Sequence, residues 1–122
     1  VTLVQGDLKE KLILLKKVGK INEFSVDYLL RIDLYLTTHY QSSDNSAFLL
    51  HLAMAINRAS NQQTIDPMSD DLWRQITQRK CFLKAKSLWS RLAEKAPVHF
   101  SEMENRYILL HLTNIVGRNQ NG

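Results

Sequence analysis

The most constraining feature of this chain is a ten-residue block, Ala47 to Ile56, in which His51 is the only residue that is not apolar. The block is too short to cross a membrane, which takes roughly 20 apolar residues. It is also apolar on too many sides for an ordinary amphipathic surface helix. A helix of this kind has to be contacted from several directions, so the rest of the chain is expected to pack round it. With 122 residues and 44% hydrophobic content there is enough material for one core and no room for a second sizeable one. Cys81 is the single cysteine, which excludes an internal disulfide framework and agrees with a reducing, cytoplasmic setting. No secretory signal pattern is present.

Around this block the punctuation is sparse, with four glycines and two prolines. A first helix is expected over Asp7 to Val18, with Leu8, Leu12 and Leu15 at helical spacing and Gly19 ending it. A second starts between Asn22 and Ser25 and runs to about Tyr40, with apolar positions including Val26, Leu29, Leu34 and Leu36 dense enough to meet core on more than one side. The polar turn Gln41 to Ser46 ends in an N-cap, and the third helix runs from about Asn45 to Ser60. Pro67 disfavours helix at Asp66. Ser69 or Asp70 caps a short helix around Leu72 to Thr77, and a longer one carries Phe82, Ala85, Trp89 and Leu92 until Pro97. The last helix opens on Ser101-Glu-Met-Glu104, a capping box in which Glu104 is expected to reach back to the Ser101 amide. Gly117 is expected to stop it. No strand pattern occurs.

The chain carries 16 Lys and Arg against 12 Asp and Glu, a formal +4. Lysines crowd the first twenty residues, and a second basic stretch runs from Arg74 to Lys95. Solvated helix faces are the more economical reading of both, ahead of nucleic-acid binding.

Enzymatic templates fail: there is no phosphate loop, no His-Glu-x-x-His, no paired-cysteine metal spacing and no Gly-x-Ser-x-Gly elbow. No catalytic residue, metal or cofactor is therefore expected. Cys81 reads as a packed thiol, and His39 and His99 as surface positions. His51 and His111 differ, because each lies inside an apolar helix in the frame Leu-His-Leu. Each also has an arginine seven residues later, Arg58 and Arg118, about 10 Å along the same helical face. Taken singly, each imidazole is better explained as a core histidine satisfied by a neighbour, and the matching contexts of the two narrow that preference without reversing it.

The segments His51-Leu-Ala-Met-Ala-Ile-Asn-Arg58, Thr64-Ile-Asp-Pro-Met68, Glu102-Met-Glu104 and Tyr107-Ile-Leu-Leu-His-Leu112 together resemble a PTS regulation domain, or PRD. These are the regulatory modules of bacterial antiterminators and transcription activators that answer to the sugar phosphotransferase system. The likeness runs from about Phe24 to Ile115 and includes the separation of the two histidines, positions 51 and 111. It implies an all-α, compact five-helix bundle, here with a possible extra helix at the N-terminus, that commonly forms a homodimer. It implies that His111 and His51 are phosphoacceptors, with Arg58, Arg118 and Glu104 as phosphate-stabilising or supporting residues. The implied partner is a phosphocarrier protein or an enzyme II component, with neither a membrane nor direct nucleic-acid binding. Leu50 departs from the family pattern, standing where an aspartate usually precedes the first histidine. Met68-Ser69 likewise replaces a leucine pair.

The expected organisation is a basic N-terminal helix over residues 1–21, a PRD-like domain over 22–118 and a polar tail over 119–122. The polar tail favours a stand-alone module over a fragment. The expected function is phosphorylation-controlled regulation of transcription or antitermination. The alternative is a non-phosphorylated protein-interaction module of the same fold, and after that a nucleic-acid-binding helical domain.

Overall fold

A computed structural model describes residues 2–118, with side chains described from residue 7. It is all-helical among those residues: α1 Thr2–Lys17, α2 Glu23–Tyr40, α3 Ser46–Ser60, α4 Asp70–Thr77, α5 Phe82–Ala93 and α6 Glu102–Arg118. The expected five-helix bundle with an additional N-terminal helix is what the chain forms. The expected polar tail, 119–122, lies outside the described residues.

The apolar block of the sequence becomes α3, and it sits where its composition demands. It packs against α1 and α2 on one side and α6 on the other, while α6 in turn carries α4 and α5. Phe48, Leu49, Leu52, Ala53, Ala55 and Ile56 are all buried. α1 is part of the same core, since Leu8 is 2% exposed and Leu12 0%. α2 is less enclosed than its sequence suggests. Val26, Leu29, Ile32 and Leu36 are buried, but Leu34 is 65% exposed, because no element covers that side of the helix.

The helix ends follow local chemistry. The Asn22 side chain accepts from Ser25 N at 2.9 Å, and that of Ser69 from Leu72 N at 3.2 Å. Gly19 holds φ +80°, a left-handed turn between α1 and α2 that favours glycine. Three expectations are corrected. Asn45 makes no side-chain cap at the start of α3. Its amide instead donates to the buried Asp33 carboxylate at 2.8 Å and accepts from the Ser42 hydroxyl, tying the turn down to α2. Gly117 does not stop α6, which continues to Arg118. Its lack of a side chain serves packing: a Cβ there would stand 3.0 Å from Cys81 Sγ. Only half of the capping box forms. Glu104 N donates to Ser101 Oγ at 3.2 Å, while the Glu104 carboxylate goes elsewhere.

Candidate functional site

α3 and α6 run antiparallel along one seam. From one end to the other, Arg58 meets Glu104, His51 meets Tyr107 and His111, Phe48 meets His111, and Ser42, just before α3, meets Arg118. Residues 104, 107 and 111 share one face of α6 because three- and four-residue steps return to the same side of a helix, and residues 51 and 58 share a face of α3 for the same reason.

The centre of the seam is an imidazole pair. The His51 and His111 ring centroids are 5.1 Å apart, with the rings inclined at 40°. Both side chains are half-buried, flanked by the rings of Tyr107, 5.9 Å from His51, and Phe48, 6.0 Å from His111. Tyr107 is held in place by its hydroxyl, which donates to the Asp66 carbonyl at 3.2 Å, in the turn before Pro67.

Beside the pair lies a buried ion pair. Glu104 is 4% exposed and accepts two bonds from Arg58, Nε to Oε2 at 2.6 Å and Nη2 to Oε1 at 3.1 Å. This fork-on-fork arrangement is the strongest way for a guanidinium to satisfy a buried carboxylate. His51 Nε2 lies 3.8 Å from Glu104 Oε1, beyond hydrogen-bond reach, and is buried without a hydrogen-bond partner.

Burial sets the protonation of both rings. Desolvation holds the His51 pKa below its ordinary value; the Arg58 charge adds to this and the Glu104 charge opposes it. The His111 pKa is also lowered, first by desolvation and then by the neighbouring His51. Both imidazoles are therefore neutral near pH 7, each with one unprotonated ring nitrogen.

Of the residues singled out in the sequence, the structure brings together His51, His111, Arg58 and Glu104. Arg118 stands apart: it is exposed and turns to the α2–α3 connection, with Nη2 3.5 Å from Ser42 Oγ. Arg58 is likewise not a free cation, because Glu104 engages it. Tyr107, which the sequence places among the apolar positions of α6, belongs to the site; the signal for it was its spacing between Glu104 and His111. Leu50 is half-buried at the edge of the core, so no carboxylate on α3 precedes His51. Outside the seam, His39 stacks on Tyr35 at 4.1 Å, and Cys81 is buried with its thiol donating to the Thr113 carbonyl at 3.3 Å. Among the described residues no group of three or more His, Cys, Asp or Glu side chains is placed to hold a metal ion, and no helix is long and apolar enough to cross a membrane.

Among the described residues the chain is an all-helical bundle with one histidine of the seam on α3 and the other on α6. The family model described as PRD domain matches residues 27–115, more than two thirds of the chain. The chain belongs to the PRD domain family, regulatory modules governed by the sugar phosphotransferase system. α1 lies outside the matched segment although it shares the core. No curated protein and no solved structure matches the chain.

Proposed function

We propose that the α3–α6 seam is a phosphohistidine switch. His111 is its first acceptor and His51 its second, the donor is a phosphocarrier protein or an enzyme II component, and the domain acts in the cytoplasm. The single observation that carries this reading is the pair of neutral, half-buried imidazoles 5.1 Å apart beside the Arg58–Glu104 ion pair. A phosphocarrier donor passes its group from one imidazole to another. The P–N bond to the donor ring breaks, with its electron pair returning to that ring, as a lone pair of the acceptor nitrogen forms the new P–N bond.

The charge change that follows is large for this location. A phosphoryl group brings up to about −2 to a seam whose existing charges, Arg58 and Glu104, cancel. Like charge pushes against Glu104, while Arg58 is drawn from a carboxylate towards a dianion and His51 is driven to take up a proton. Two unit charges 4 Å apart interact by about 4 kcal/mol near a protein surface, so the first phosphoryl group disfavours a second on the adjacent ring. One modification per chain is the expected limit. A rearranged seam alters the surface offered to a second copy or to a partner, and in that way reports the phosphate to transcription or antitermination.

A second reading, a protein-interaction module without phosphorylation, is favoured by Leu50 and by the inward-facing Nε2 of His51. The two readings separate by intact-mass spectrometry at neutral to alkaline pH, after incubation with phosphoenolpyruvate, enzyme I and the phosphocarrier protein. The switch predicts one acid-labile phosphoryl increment, reduced in His111→Ala to whatever His51 accepts, retained at least in part in His51→Ala and absent when both are replaced. No increment with a donor that modifies a control domain would leave the interaction module as the better account.

A further inference from the structure

Away from the histidine seam, α2 and α5 face each other without close packing and leave a cleft of about 590 Å3 between them. Its walls are aromatic and aliphatic: Phe24, Tyr28 and Tyr35 from α2, with Leu88 and Leu92 from α5. Tyr28 sets the spacing, since its side chain is buried and its hydroxyl donates 2.7 Å to the Leu92 carbonyl in the last turn of α5. That carbonyl would otherwise lack a partner within its helix, so the bond both finishes α5 and stops the two helices from closing on each other. Phe24 remains 63% exposed at the mouth.

The charges that line this cleft are unbalanced. Arg31, Arg91 and Lys95 border it, against the one carboxylate of Asp27, and none of the three cations has an ion-pair partner among the described residues. A concave, mostly apolar site of this size with a few convergent polar groups is the usual form of a small-molecule pocket. An apolar occupant covers the aromatic wall, and only an anionic head group answers the three free cations. Guanidinium groups favour carboxylates in particular, which they can bind in a two-pronged manner.

We propose that the α2–α5 cleft is a binding site for a small amphipathic carboxylate, an aromatic or acyl body of roughly eight carbons carrying one acidic head. The body lies between the rings of α2 and Leu88 and Leu92, and the head meets Arg31, Arg91 and Lys95. The site is independent of the histidine switch and gives the domain a second, diffusible input.

The test is a backbone amide NMR titration of the whole chain with octanoate, octanol and octyltrimethylammonium, three probes of equal chain length and different head charge. Octanoate is expected to bind saturably, at least tenfold more tightly than octanol, moving the amides of Phe24 to Tyr35 and Leu88 to Lys95. The cationic probe should produce no saturable shift. Replacing Arg31, Arg91 and Lys95 together by alanine should weaken octanoate at least tenfold while the spectrum stays dispersed, and Phe24→Glu, at the exposed wall, should weaken it independently. Equal binding of octanol, shifts centred on other elements, or self-association through this face that octanoate does not displace would each overturn the assignment.

Discussion

The α3–α6 seam and the α2–α5 cleft are both built where two helices face each other, and they differ in what has become of their charges. In the seam of the unmodified chain, Glu104 is buried and Arg58 forks onto it, so each ion already has its partner. In the cleft, three cations stand at the border of an apolar surface with no carboxylate engaged. The difference follows from solvation. A buried ion without a partner costs several kcal/mol, so a seam can hold charge only if its own side chains satisfy it. A rim ion stays hydrated and tolerates having no partner. Charge in the seam is thus bound up with the fold, while charge at the cleft is open to a ligand.

The largest break in this comparison comes from Glu104→Leu. It strands the Arg58 guanidinium in a half-buried setting and is expected to destabilise the domain by about 3 kcal/mol, in the range for breaking one side of a buried pair. Combining it with Arg58→Met should recover most of the loss, because an apolar pair of similar volume carries no desolvation cost. Urea denaturation of the two variants measures this, and a double variant no more stable than the single one would show that the pair is more than charge compensation.

This pair also marks where the sequence stops being readable. The helices were legible almost throughout, because apolar spacing, Asn22, Ser69, Ser101 and the prolines are local signals. The two histidines were legible because each stands alone in an apolar frame. What escaped was every property that depends on register between helices. Arg58 and Arg118 look equivalent from spacing, each seven residues after a histidine, yet the antiparallel seam delivers the first to Glu104 and the second to Ser42. Glu104 fits a capping box by local rule, but an arginine from α3 outbids the Ser101 amide for its carboxylate. Gly117 resembles a helix stop, but the approach of Cys81 from the start of α5 explains it.

A smaller effect sharpens the local half of that account. Ser101 still accepts from Glu104 N, so Ser101→Ala removes one cap bond and is expected to cost about 1 kcal/mol. The loss should fall on the helix start alone. It should not alter the Glu104–Arg58 pair, whose integrity can be followed through the Arg58 Nε–H resonance.

Protonation probes the seam without mutation. Both histidine pKa values are lowered in the folded chain relative to about 6.5 in the unfolded one, so between the folded values and about 6.5 the unfolded state binds more protons. Stability is then complete above about pH 6.5 and declines as the pH falls through that window, the reverse of a histidine that gains an acidic partner. Urea midpoints from pH 8 to pH 5 should show this decline, and His51→Gln with His111→Gln should flatten it. An unchanged slope in the double variant would mean that carboxylates, not these rings, govern the window.

The smallest expected effect tests the other side of the comparison. Arg31, Arg91 and Lys95 are exposed and unpaired, so each alanine substitution should move stability by no more than about 0.5 kcal/mol. Small values here have a specific meaning because the same residue type, Arg58, is worth several times more in the seam. If Arg91→Ala or Arg31→Ala instead costs 2 kcal/mol or more, the guanidinium stem is packing on the cleft wall and the cleft belongs to the core. If the losses stay small and octanoate stabilises the unmodified chain but not the triple alanine variant, stability and recognition are carried by different cations. That separation is what the contrast between a satisfied buried pair and an unsatisfied rim requires.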